Sequence, residues 1–274
     1  MIILVPIDFT PVTENALKYT LGLTDILAAS KITLFHVVAS EKDTPGATTK
    51  LRGLVDKYAG QTNVPLEFHV SPGNIFDLIG KTATGLGASL IVMGTHGIKG
   101  MQRLIGSRAM KVITNSETPY IVVQNKPFRP IRNILIPVDY TRESKQMLPL
   151  LQSLNDRFKA NIFLVQQKAK DEFINDKIRN NMGYFKTFLD ENRIKYRVVG
   201  SYHAGSKYKE VLKEGDAIEA DLLVTAIDPE TDITDYIMGV EEQKLVANES
   251  QIPALCINIK HFMSRKGGIF ELVA

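Results

Sequence analysis

A chain of 274 residues is long for one ordinary domain and suits two of about 130 to 140 residues each. Its 33 basic and 30 acidic residues leave a formal charge of +3, too even a balance for a dedicated nucleic-acid binder. No stretch approaches the about 20 consecutive apolar residues needed to span a bilayer, and one cysteine, Cys256, excludes an internal disulfide and a cysteine-type zinc cluster.

The chain opens on Ile3-Leu4-Val5-Pro6-Ile7 followed by Asp8-Phe9-Thr10, an apolar strand that meets a turn. The run before Asp8 is too short for the apolar region of a signal peptide and has no basic leader, so the expected compartment is the cytoplasm. A segment of helical period follows from Glu14 to Ala28, with Ala16, Leu17, Leu21, Leu23 and Leu27 apolar. Next come a strand at Ile32-Thr33-Leu34-Phe35, a helical stretch containing Gly80-Lys81-Thr82, and a strand at Ala88-Ser89-Leu90-Ile91-Val92. The Gly80-Lys81-Thr82 triplet resembles the end of a P-loop, but Ile75 stands where the earlier glycine would be. Gly85-Leu86-Gly87 likewise lacks the third glycine of a dinucleotide fingerprint.

After Val92 the chain runs Met93-Gly94-Thr95-His96-Gly97-Ile98-Lys99-Gly100 and continues to Gly106-Ser107-Arg108, which opens a helix-like run. Glycines let backbone N–H groups approach an anion closely, and a helix start with a serine adds a hydroxyl beside the positive end of the dipole. With Lys99, Arg103 and Arg108 nearby, the segment reads as a phosphate cradle; a tight turn with a helix cap is the structural alternative. Asp8 has a comparable alternative as an Asx-turn residue, shared by Thr10.

A last strand, Pro119-Tyr120-Ile121-Val122-Val123, precedes the proline-containing stretch Asn125 to Pro130, and the pattern then recurs. Ile134-Leu135-Ile136-Pro137-Val138-Asp139-Tyr140-Thr141 repeats the opening strand and turn; Ile162 to Val165, Ala220 to Val224 and Pro253 to Ile257 repeat the later strands in order. Four matches in register imply a duplicated unit. The expected division is 1–126, 131–260 and a C-terminal tail, 261–274. Continuous apolar strands alternating with helical segments predict α/β halves, each a doubly wound parallel sheet of the Rossmann-like type.

The order of Asp8 after the first strand, a glycine loop after the fourth and Gly-Ser before the last helix resembles the nucleotide-binding universal stress proteins. In that family the loop reads Gly, two residues, Gly, nine residues, Gly-Ser or Gly-Thr. Here eight residues separate Gly97 from Gly106. The resemblance covers both halves and implies an adenine nucleotide α-hydrolase-like fold. It further implies that ATP, with or without Mg, or else AMP or ADP, would be held by Pro6, Ile7, Asp8, Val38, Met93, Gly94, His96, Gly97, Gly106 and Ser107. Asp8 would meet the adenine or ribose end, Val38 and Met93 the base, and the glycines and Ser107 the phosphates.

The second half carries Ala226, Pro229, Gly239 and Val240 where the first carries Gly94, Gly97, Gly106 and Ser107, so its cradle is expected to be lost. No catalytic residue is assigned. A regulatory nucleotide-binding protein is the leading reading, beside an interaction protein without nucleotide and a slow ATPase. The family resemblance also implies that the two halves associate as an intramolecular pseudo-dimer through their final strands, and that a further homodimer could form.

Overall fold

The computed structural model of the chain describes residues 1–95, 118–227 and 244–258. The strands are β1 (Ile2–Pro6), β2 (Lys31–Val38), β3 (Leu66–Pro72), β4 (Ala88–Gly94), β5 (Tyr120–Val123), β6 (Asn133–Val138), β7 (Asn161–Lys168), β8 (Tyr196–His203), β9 (Leu222–Ile227) and β10 (Ala254–Asn258). They form one ten-stranded sheet in the order β3-β2-β1-β4-β5-β10-β9-β6-β7-β8. The helices are α1 (Pro11–Leu23), α2 (Thr44–Tyr58), α3 (Ile75–Gly85), α4 (Arg142–Gln146), α5 (Leu148–Phe158), α6 (Glu172–Glu191) and α7 (Lys207–Ala217).

Side chains alternate across a strand, so successive residues of an apolar run serve two cores. Ile3 and Val5 of β1 face a cluster built with Leu17 of α1, Leu51 of α2, Leu151 of α5 and Phe185 of α6. Leu4, between them, faces the opposite cluster with Ile79 of α3 and Val211 of α7. Helices therefore cover both faces, which is why the inner strands are apolar throughout. The rim strands β3 and β8 lack this double burial and are partly exposed along their length.

Among the described residues every strand pairing is parallel except one. β5 and β10 run antiparallel, with Val122 opposite Ala254, Ile121 opposite Leu255 and Tyr120 opposite Cys256. The second five strands repeat the order of the first, and their registers correspond: Pro6 pairs with Phe35 as Pro137 pairs with Val165. The single antiparallel join reverses direction between the halves, so their strands' carboxyl ends lie on opposite edges of the sheet.

The first helix differs from its expected bounds. It begins at Pro11, whose fixed φ and missing N–H suit the first helical turn, and ends at Leu23. Leu27 remains buried, but the turn after α1 includes Ala28 at φ 48°, so the apolar periodicity outlasts the helix. The stretch between the halves is held rather than loose. Asn15 of α1 donates through Nδ2 to the carbonyl oxygens of Gln124, at 2.6 Å, and Lys126, at 2.9 Å. Phe128 meets Tyr19 edge to face at 5.2 Å.

Candidate functional site

β1 pairs with β2 on one side and β4 on the other, so consecutive strands diverge beside β1 and leave a switch point between β1 and β4. In open α/β sheets a crevice forms there, outside the carboxyl ends of the strands. Three of the expected residues stand at this edge because their strands end there: Asp8 just past β1, Val38 at the end of β2 and Gly94 at the end of β4. Pro6, Ile7 and Val38 are buried, and Met93 is partly so. His96, Gly97, Gly106 and Ser107 lie outside the described residues, as do Lys99, Arg103 and Arg108.

The β1 turn is built by hydroxyl groups around one carboxylate oxygen. Asp8 Oδ1 accepts from the Thr10 N–H at 2.9 Å, from Thr10 Oγ1 at 2.5 Å and from Thr13 Oγ1 at 2.8 Å. That is the Asx-turn role of an aspartate between strand and helix. The second half repeats the core of it: Asp139 Oδ1 accepts from the Thr141 N–H at 2.9 Å and from its hydroxyl, and Ser144 Oγ accepts from the Asp139 N–H at 3.4 Å as Thr13 Oγ1 does from the Asp8 N–H at 3.3 Å. Thr13 and Ser144 were not singled out from sequence, although a hydroxyl five residues after each aspartate was the available signal.

Phe9 sits at φ 66°, a left-handed conformation that costs a bulky residue roughly 1 kcal/mol or more and persists only when its surroundings demand it. His36 provides part of that demand. Its ring lies 4.6 Å from the Phe9 ring, and its Nδ1 is 2.6 Å from the Ile7 carbonyl oxygen; Lys50 Nζ lies 5.4 Å from the Phe9 centroid. His36 is partly exposed and lies two residues before Val38; no sequence spacing marked it.

Gly94 has a packing reason of its own. A Cβ there would come within 2.5 Å of the Val12 carbonyl oxygen and 3.0 Å of the Thr13 Cα, so the first turn of α1 can cross β4 only because residue 94 has no side chain. Its counterpart is Ala226, since Gly94 pairs with Val123 as Ala226 pairs with Ile257. The same register puts the exposed Lys168 where Val38 is buried. Beside Gly94, Thr95 is buried and its Oγ1 has no hydrogen-bond partner among the described residues, while its N–H donates to the Val123 carbonyl at 2.9 Å. An apolar floor with an orphaned hydroxyl at its rim fits a ligand with a planar apolar part and polar substituents. Among the described residues no three His, Cys, Asp or Glu side chains are grouped to hold a metal ion.

Residues 1–124 match the Universal stress protein family. The first half of the chain belongs to that family. Solved structures extend the likeness of fold to nearly the whole length. A universal stress protein from Archaeoglobus fulgidus is 15% identical, with 94% of this chain and 96% of that chain covered and a TM-score of 0.76. A universal stress protein from Pseudomonas aeruginosa is 15% identical, with 95% of each chain covered and a TM-score of 0.65. A functionally unknown protein from the same species is 13% identical, with 95% and 94% covered and a TM-score of 0.64. No curated protein matches the chain. No helix among the described residues is long and apolar enough to cross a membrane.

Proposed function

We propose that this universal-stress-type chain is a regulatory protein that binds ATP or a related adenine nucleotide at the switch point of its first half. The observation that carries the reading is the convergence of the Asp8 turn, Val38 and Gly94 at one edge of the sheet, where β1 and β4 part. The loop following Gly94 adds Gly97, Gly106 and Ser107 in sequence. The base would lie against Val38 and Met93, and the loop's N–H groups would meet the phosphates. Asp8 acts first as the organiser of the β1 turn, with Oδ1 committed to Thr10 and Thr13; its contact with the nucleotide would come in addition.

The second half supports asymmetry. An alkylammonium on an exposed strand end at Lys168 replaces the Val38 floor, Ala226 replaces Gly94, and the sequence has Pro229 where Gly97 stands. Titration calorimetry of ATP, ADP and AMP against the full chain tests the reading. A site at the β1–β4 edge is expected, abolished by Gly97→Pro and unaffected by Lys168→Val. Binding unchanged in a folded Gly97→Pro chain, or no binding by the native chain, would overturn it in favour of an interaction protein of the same fold.

A further inference from the structure

The two halves share a turn, yet the helices that follow it carry opposite charges at one matched position. Aligning Asp8 with Asp139 and Thr13 with Ser144 places Glu14 opposite Lys145. Glu14 bridges α1 and α2: its Oε1 accepts from Lys57 Nζ at 2.6 Å and from the Tyr58 hydroxyl. In the second half that carboxylate is replaced by an ammonium. The space between the β6 turn, α4 and α6 is an open groove of about 940 Å³, within the range of about 300 to 1,000 Å³ usual for small-molecule sites.

Arg142, Lys145, Lys177 and Arg179 line this groove, and among the residues whose side chains are described no aspartate or glutamate does. Arg179 is neutralised by Glu172, at 2.8 Å, and by Asp176. Among the described residues no carboxylate forms an ion pair with Arg142, Lys145 or Lys177. Two rings complete the lining: Tyr140 is 44% exposed and Tyr184 is 58% exposed, with Lys145 Nζ 4.9 Å from the Tyr184 centroid. The base of the groove is fixed. Asn181, 3% exposed, donates through Nδ2 to the Asp139 carbonyl at 2.7 Å and the Thr141 carbonyl at 2.8 Å, which pins the backbone on both sides of Tyr140.

We infer that this groove is a second ligand site, distinct from the switch point, for a small organic phosphate bearing at least two negative charges and a planar ring. Three cations with no carboxylate partner among the described residues concentrate positive potential in one concavity and favour a multivalent anion. Lysine and arginine donors suit phosphate oxygens. The exposed faces of Tyr140 and Tyr184 offer a flat ring a surface to stack on. A groove of this volume takes a compact ligand rather than a polymer.

The test is NMR titration of the ¹⁵N-labelled full chain with phenyl phosphate, inorganic phosphate and an oligoglutamate peptide, which locates binding as well as detecting it. Phenyl phosphate is expected to shift amides in 140–145 and 177–187, with affinity at least tenfold weaker in an R142S/K145E/K177S chain whose spectrum shows it folded. The single K145Q chain should weaken binding in the same direction. Shifts confined to the β1–β4 edge, affinity unchanged in the charge variants, or phenyl phosphate binding no better than inorganic phosphate would overturn the inference. Binding of oligoglutamate without either phosphate ligand would overturn it too, assigning the groove to an acidic protein segment.

Discussion

Gln124, the residue after β5, donates through Nε2 to the backbone carbonyl of Asn248 at 2.6 Å, and both residues are buried. The bond ties the end of the first half to the turn that feeds β10. Asn248 holds that turn together, donating through Nδ2 to the Leu245 and Ile252 carbonyls at 2.9 and 2.8 Å and accepting from the Ile252 N–H at 2.9 Å. Leaving a buried polar group without its partner costs about 1–3 kcal/mol. Asn248→Ala is therefore expected to destabilise the chain by about 2–4 kcal/mol in urea unfolding, since several groups lose partners at once. Gln124→Ala should cost less, and hydrogen exchange of the β10 amides should rise more than that of β1.

Gly94→Ala separates the glycine's packing role from its role in a ligand loop. With Val12 O within 2.5 Å of the new Cβ, the first turn of α1 must move, and overpacking of this kind typically costs about 1–3 kcal/mol. Because the displaced turn carries Thr13, a ligand of Asp8 Oδ1, nucleotide affinity should fall as well. Ala226→Gly in the second half should cost no more than about 1 kcal/mol, the usual penalty for glycine within a strand. Equal losses at the two positions in urea unfolding would contradict the close approach of α1 to β4.

Gly22 lies under the connecting segment, where a Cβ would meet the Phe128 ring at 2.2 Å. Gly22→Ala should displace Phe128 and break its edge contact with Tyr19. Phe128→Ala should relieve the clash, so the double variant is expected to be more stable than the sum of the single losses predicts. Strict additivity in urea unfolding would mean that the segment does not dock on α1 in solution.

Much of this was legible because it rests on short-range pattern. The apolar runs named the central strands, and the recurrence of Pro6-Ile7-Asp8 as Pro137-Val138-Asp139 placed the second set in register with the first. An analogy of edges put Tyr120–Val123 beside Leu255–Ile257, and in the sheet β5 lies antiparallel to β10 with Leu255 opposite Ile121 and Cys256 opposite Tyr120. What sequence did not disclose depends on long-range contacts. Phe128 against Gly22, His36 against Ile7 and Gln124 against Asn248 join residues with no periodic relation. The glycine at 94 was visible, but the proximity of Val12 that requires it was not.

Glu14 makes the α1–α2 contact sensitive to acid. Hydrogen bonds from Lys57 and then Tyr58 hold its carboxyl below the ordinary value of 4.5, because both stabilise the ionised form. A depressed folded pKa contributes stability that is fully present above the unfolded value and is lost as pH falls through the folded one. Glu14→Gln should therefore lower the urea midpoint at neutral pH, and the difference from the native chain should shrink progressively below pH 4.5. Since the side chain is 27% exposed, added salt should also reduce the difference. A gap independent of pH would assign the contribution to packing rather than charge.

Cys256 supplies a reporter on the join between the halves. It lies on β10 directly opposite Tyr120 of β5, is 2% exposed, and burial pushes its thiol well above the ordinary range. The thiolate is the reactive form, and a thiol held neutral in an apolar site is inert, so labelling by an aromatic disulfide reagent must proceed through opening of this strand pair. In the native chain labelling should be slow and limited by the population of the open form. Val122→Asp puts a carboxylate on the neighbouring position, opposite Ala254, where Val122 is 1% exposed; desolvating it there is costly unless the strands part. The variant is expected to label at least tenfold faster at a urea concentration where circular dichroism still reports native helix content. If labelling accelerates only in step with global unfolding, the β5–β10 join does not open separately and the two halves unfold as one cooperative unit.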